Sequence, residues 1–236
     1  MRVLALDTTT AGGSCAIARD DVVLIEHATA SAEYAARLPG DLMALLDRAA
    51  MTLDDIEVFA VATGPGSFTG LRIGIATMQG LAFAGKRPLI GVSTFDALAH
   101  RANAPQTANA PQTAKVSRTA TWIDAWRGEV YSALYEGGET VGEPSVERPE
   151  HVIARLGSES THFIGDGVAA YRELIERQLG AAATIADPPA PPLAGTIALL
   201  ATLEARRGSA PPPHAIRPLY VRRSDAELVR DARASR

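Results

Sequence analysis

Twice along this chain a short apolar run stops at an aspartate and doubles back. Residues 3–6 lead into Asp7 and the turn Thr8-Thr-Thr-Ala-Gly-Gly13, after which residues 14–18 return as a second strand. Trp122-Ile-Asp124 leads into the turn Ala125-Trp-Arg-Gly128, and residues 129–135 return. In each case a later apolar strand, residues 58–62 or 162–164, enters a helix through Gly-x-Gly, at Gly64-Pro-Gly66 and Gly165-Asp-Gly167. Short apolar runs bounded by turn residues read as buried strands, and strands alternating with helical patterns read as α/β units. The repetition predicts two similar α/β halves with a cleft between them, where ligands and partners collect.

The remaining segments fit that frame. Residues 22–28 read as a third strand, and a helix is predicted over 34–50 with Leu38, Leu42, Leu45 and Leu46 at helical spacing. Pro39 should end or kink its first turn. Thr52-Leu-Asp-Asp55 has capping-box spacing. The helix after Gly64 should reach about residue 84, followed by a strand over 89–92 and a helix over 95–102 capped by Ser93. In the second half, helices are predicted near 151–156, 171–178 and 194–207, the last after a stiff proline-rich linker over 188–192. Between the halves the six residues Ala-Asn-Ala-Pro-Gln-Thr stand twice in tandem over 102–113. Such small polar residues cannot bury a core and read as a flexible surface insertion. The expected division is therefore 1–101, an insertion over 102–117, and 118–236, with the terminal segment free to pack back on the first half.

Composition narrows the class. With 47% hydrophobic and 21% charged residues among 236, the chain has the apolar content to bury a core, which excludes a disordered polymer. A net charge of -4 and a pI near 5.8 argue against a stand-alone nucleic-acid binder. Residues 217–236 are locally basic, with six arginines against three acids, and read more readily as a solvated tail than as an arm that contacts nucleic acid, the second reading staying open. The single cysteine, Cys15, can form no intrachain disulfide and no cysteine zinc site, so a cytoplasmic protein is expected. No apolar run approaches the length of a membrane span.

Gly64-Pro-Gly-Ser-Phe-Thr-Gly70 is the strongest local signal for chemistry. It follows a strand and opens a helix, a context in which backbone N–H groups can hold an anion. Its third glycine comes one place too late for the dinucleotide fingerprint. Gly70 and Gly74, four apart, leave one helix face bare, so close packing or a partner helix is the favoured reading. Gly80-Leu-Ala-Phe-Ala-Gly-Lys86 imitates the start of a phosphate loop, but Arg87 replaces the required hydroxyl and the order of helix and strand is reversed. The five histidines include no pair at i, i+4, and Ser67 lacks the surroundings of a nucleophile elbow; no metal ligands and no catalytic residues are expected. Asp7 and Asp124 can hold a magnesium–phosphate group or satisfy turn amides, the second reading being favoured. Trp122 and Trp126 fit core, rim or interface alike.

Several of these stretches carry a resemblance. Asp7-Thr-Thr-Thr10, Gly64-Pro-Gly-Ser-Phe-Thr-Gly-Leu-Arg-Ile-Gly74, Gly91-Val-Ser-Thr94, Ile123-Asp-Ala-Trp-Arg-Gly-Glu-Val-Tyr131 and Pro218-Leu-Tyr-Val-Arg222 together resemble the TsaB (YeaZ-type) family, in order and over most of the chain. Its members are bacterial partner subunits for tRNA threonylcarbamoyladenosine synthesis. The resemblance implies an α/β fold of two similar actin/Hsp70/sugar-kinase-like (ribonuclease H-like) halves, the second degenerate. It also implies a non-catalytic activator that binds the catalytic paralogue TsaD. With the ATPase TsaE, such an activator supports threonylcarbamoylation of adenosine 37 in tRNAs reading codons that start with A. Contact with tRNA is then indirect, and the chain alone is expected to form a homodimer through its partner face. Carried over residue by residue, that face is Phe68, Thr69, Gly70, Leu71, Arg72, Gly74 and Ile75, with Leu42 and Leu45 from the preceding helix. Nucleotide-binding members of the fold usually have glycine two places after the first-strand aspartate, where this chain has Thr9. Asp7, Thr9 and Asp124 therefore mark a vestigial cofactor site; no cofactor is expected, a nucleotide shared between subunits staying open. Two departures stand out: Glu33-Tyr34 occurs where relatives commonly have a histidine, and the tandem repeat is not a family feature. The alternative is a self-sufficient ATP- or metal-dependent enzyme of the same fold, using Asp7 and Asp124 on magnesium.

Overall fold

Residues Val3 to Leu6 are aliphatic in succession because their strand is central in its sheet and covered on both faces. The computed structural model describes residues 1–28, 34–103, 116–208 and 211–221. In the first half the order is β1 (Arg2–Asp7), β2 (Ser14–Arg19), β3 (Val22–Ala28), α1 (Tyr34–Arg48), β4 (Val58–Gly64), α2 (Phe68–Gly85), β5 (Leu89–Ser93) and α3 (Thr94–Asn103). The second half repeats it as β6 (Arg118–Asp124), β7 (Val130–Glu136), β8 (Glu139–Glu147), α4 (Pro149–Leu156), β9 (Thr161–Ile164), α5 (Asp166–Ala170), α6 (Arg172–Leu179), β10 (Ala183–Ile185) and α7 (Ala194–Arg206).

The repetition holds strand for strand. The sheets run β3-β2-β1-β4-β5 and β8-β7-β6-β9-β10. In each, the first strand pairs antiparallel with the second and parallel with the fourth. Asp7 pairs with Ser14 and Asp124 with Val130, so the two aspartates end equivalent strands.

Three apolar layers hold the molecule together. On the outer face of the first sheet, Leu4, Leu6 and Ile17 meet Leu38 and Leu45 of α1 and Leu71, Ile75 and Met78 of α2. On the outer face of the second, Trp122 and Phe163 meet edge-on at 5.4 Å, beside Val152 of α4 and Ile175 of α6. The middle layer is α3 and α7, packed between the sheets. α7 lies across β1, β2 and β4, where Ala5, Ala18, Ala60 and Ala62 meet its Ala198 and Ala201. Small side chains on both surfaces let the helix seat close to the strands.

Some details differ from the sequence reading. α1 continues through Pro39. β8 and β10 were not foreseen. The imitation phosphate loop is the last turn of α2, and Lys86 is its left-handed cap. The tandem repeat from residue 104, the side chain of Tyr34 and the arginines from Arg222 onward lie outside the described residues. No described helix is long and apolar enough to cross a membrane.

Candidate functional site

The cleft ends of the strands are built from threonine turns and buried carboxylates. Asp7 is fully buried; its Oδ1 accepts from Thr9 N at 2.8 Å and Thr9 Oγ1 at 2.6 Å, and its Oδ2 accepts from Thr10 Oγ1 at 2.7 Å. Thr9 Oγ1 also lies 3.0 Å from Thr94 Oγ1. Thr8 Oγ1 donates to Gly70 O at 2.7 Å, and Ser67 N donates to Thr9 O at 2.8 Å. Ser67 Oγ accepts from Gly70 N, capping α2. The threonine turn thus lies on the first turn of α2, where an anion would otherwise meet backbone N–H groups.

The second half reaches across the cleft with one carboxylate. Asp166 Oδ1 accepts from Asp124 N at 3.0 Å, and Oδ2 accepts from Ala11 N at 3.2 Å. Burial pushes the Asp166 carboxyl up from its ordinary range, and the carboxylates of Asp124 and Asp7 add to this. Asp124 Oδ1 accepts from Trp126 N at 2.9 Å, holding the exposed turn of the second half. The start of α7 is filled as well. Leu193 N and Ala194 N donate to Ser14 Oγ, and Gly195 N donates to Glu26 Oε1 at 2.7 Å. The cavity left between the Thr10–Gly13 turn, Asp166 and Pro192 is about 160 Å³. Pockets for drug-sized ligands begin at about 300 Å³. Asp7, Thr9 and Asp124 therefore meet in one region, where they engage turn amides and hydroxyls. Among the described residues no group of three or more His, Cys, Asp or Glu stands where it could hold a metal ion.

The residues assigned to a partner face separate into two sets. Leu42, Leu45, Leu71 and Ile75 point into the chain's own core. Gly70 and Gly74 do not form an open ridge. A Cβ on Gly70 would collide with the Thr8 carbonyl oxygen, and one on Gly74 with Thr8 Oγ1. Their bareness serves close packing of the threonine turn, one of the two readings that the spacing of Gly70 and Gly74 allowed. Phe68, Thr69 and Arg72 are exposed.

Beyond them runs an outward stripe on α2 that the sequence reading missed, Ala76, Gly80, Phe83 and Ala84; Gly40, Met43 and Ala44 on α1 are exposed as well. Phe83 is 82% exposed. The signal was available, since apolar residues recur on every side of α2 and a surface helix ordinarily keeps one polar face. A strap over 211–221 crosses the same helix. Gln79 Nε2 donates to Pro213 O at 2.9 Å and Ile216 O at 3.1 Å, and Leu219 N donates to Thr63 O at 2.7 Å. The strap ends with Leu219 and Tyr220 exposed beside Phe68.

Comparison with known proteins adds the relatives. Residues 27–229 match the family model described as TsaD, tRNA N6-adenosine threonylcarbamoyltransferase. The chain is 36% identical over 181 residues to the tRNA threonylcarbamoyladenosine biosynthesis protein TsaB of Escherichia coli (strain K12), covering 74% of this chain and 75% of that protein. Among solved structures it is similar to YeaZ from Pseudomonas aeruginosa, with 31% identity, a TM-score of 0.73, and coverage of 93% and 100%. The activator of the 2-hydroxyisocaproyl-CoA dehydratase from Clostridium difficile, with bound ADPNP, shares the fold at 10% identity. Its TM-score is 0.54, over 88% of this chain and 97% of that one. The duplicated five-stranded sheets are thus those of the actin-like ATPase fold, the second half having shorter fourth and fifth strands, β9 and β10.

Proposed function

The chain belongs to the TsaB (YeaZ-type) family, and from that premise we propose that it acts in tRNA threonylcarbamoyladenosine biosynthesis as a non-catalytic partner of the TsaD-type paralogue. One observation carries the partner reading: α2 buries one apolar face in its own core and presents a second, Ala76 to Phe83, to solvent. A helix apolar on both sides is ordinarily covered on both. The paralogue is the proposed cover, docking against α1 and α2. In its absence a second copy of the chain covers the same patch, since isologous dimers reuse one surface.

The cleft supports the non-catalytic part of the proposal. Asp7 is engaged by Thr9 and Thr10, the start of α2 by the threonine turn, and the start of α7 by Ser14 and Glu26. Each of these groups is already held by hydrogen bonds within the chain. The chain then works by favouring the active arrangement of its partner through differential binding, with the TsaE-type ATPase acting in the same assembly. Transfer to tRNA takes place on the paralogue in the cytoplasm, and this chain meets tRNA only through the complex.

The test is threonylcarbamoyl transfer to purified tRNA, with the ATPase present throughout, using this chain alone, the paralogue alone, and both. Activity only with both present is expected. Activity with this chain alone would overturn the proposal and make Asp7 and Asp124 the first residues to change.

A further inference from the structure

α2 contains eighteen residues and one charge, Arg72. Its guanidinium carbon lies 3.9 Å from the centroid of the Phe68 ring, and its Nε donates to Tyr220 Oη at 3.4 Å. The Tyr220 ring stands 5.6 Å from Phe68, tilted by 36°. Phe68 and Tyr220 are 44% and 46% exposed, so the cluster stands at the surface although Tyr220 lies 148 residues from Arg72 along the chain. No carboxylate among the described residues lies within ion-pair distance of Arg72.

We propose that Phe68, Arg72 and Tyr220 form a preorganised receptor for a carboxylate of the partner protein, which makes the strap a working part of the docking face. The inference deepens the partner-subunit reading and rests on it. The guanidinium stands over Phe68 and Nε is directed to Tyr220, and the Nη edge of the exposed Arg72 makes no hydrogen bond among the described residues. That edge is the one that takes a carboxylate bidentately. Stacking has already removed much of the side chain's rotamer freedom, so less is lost when a partner arrives. Tyrosine and arginine at the edge of an apolar patch are also the residue types that dominate binding hot spots.

The surroundings select a protein over a nucleic acid. Along α2, Ala76 lies one turn from Arg72 and Phe83 about 16 Å from it, exposed apolar surface that a phosphate backbone would leave uncovered. One positive charge displaces about one counterion, too little to hold RNA. An acidic side chain carried on an apolar ridge matches both the charge and the patch.

The experiment titrates the full chain with the purified TsaD-type paralogue by calorimetry, with melting curves to establish that each variant is folded. Arg72→Glu and Tyr220→Ala are each expected to weaken Kd by about tenfold or more. Tyr220→Phe, which keeps the ring and loses only the hydroxyl, should stay within about threefold. An Asp or Glu to Arg change on the paralogue should restore binding to Arg72→Glu. Phe83→Asp tests the face itself. If Phe83→Asp abolishes binding while Arg72→Glu and Tyr220→Ala leave it unchanged, the face docks and the receptor is wrong. If none of the three changes Kd, the partner-face reading fails with it. If Arg72→Glu spares the paralogue but weakens binding of tRNA, the receptor serves phosphate and the proposal is overturned.

Discussion

Thr8 occupies the space that Gly70 and Gly74 leave, and this contact joins the end of β1 to the start of α2. Gly74→Ala is therefore a change to the core of the isolated chain. Its new methyl group must displace Thr8 and with it the bond to Gly70 O. A cost of about 1–3 kcal/mol is expected, as for overpacking elsewhere, seen as a melting temperature lower by roughly 2–12 °C. An unchanged melting curve would mean that Thr8 does not rest there. Cys15 makes a second case at the same scale. Burial, with smaller contributions from Asp41 and Glu26, pushes its thiol up to about 12 from an ordinary value of 9.0. The folded state therefore holds this proton more tightly than the unfolded chain. Stability from keeping the thiol neutral is complete below pH 9 and declines as pH rises toward 12. Denaturant midpoints at pH 7, 9 and 10.5 should fall, and fall less steeply in Cys15→Ala; equal slopes would dismiss the thiol as a contributor. At pH 8 the native thiol should resist alkylation until the protein unfolds.

At the level of elements, the strap is the part whose loss is easiest to isolate. Gln79→Ala removes two hydrogen bonds from α2 to the strap, at Pro213 and Ile216, while leaving the outward stripe of α2 intact. Global stability should drop by about 1–2 kcal/mol. Chymotrypsin should cut after Tyr220 well before the melt begins, because local opening precedes global unfolding where few contacts hold a segment. Cleavage no faster than wild type would show that Leu219 and Ile216 hold the strap without Gln79. The strap also marks where sequence reading stops. Aspartate-ended strands and Gly-x-Gly entries are local patterns, and the duplicated sheets follow from them directly. β8 was illegible because Glu139, Gly142, Glu143, Pro144 and Glu147 break any apolar alternation. Those residues suit an exposed edge strand, where charge and proline discourage pairing with another chain. β10, three residues long, is too short to give a pattern. Phe68 and Arg72 could be marked from the resemblance, whereas Tyr220 lies 148 residues from Arg72 and only the folded chain brings them together.

For the whole molecule, the middle layer decides how the halves depend on each other. α7 belongs to the second half in sequence, yet it covers the inner face of the first sheet through β1, β2 and β4. α3 belongs to the first half and packs on β6 and β9 of the second, where Tyr135 Oη donates to Asp96 Oδ1 at 2.6 Å. Ser14, Glu26 and Asp166 add hydrogen bonds across the same boundary. Each half alone would expose the apolar face that the other half's helix covers. A fragment ending at residue 117 is thus expected to show no cooperative melt and to bind a hydrophobic dye, and mixing it with residues 118–236 should restore a single transition. A fragment that melts cooperatively within a few degrees of the full chain would show that the first sheet needs no help from α7. The expected outcome bears on function. On the partner-subunit proposal, lobes joined through exchanged helices give a stiff support that holds α1, α2 and the strap in one fixed relation, which the proposed receptor of residues 68, 72 and 220 requires.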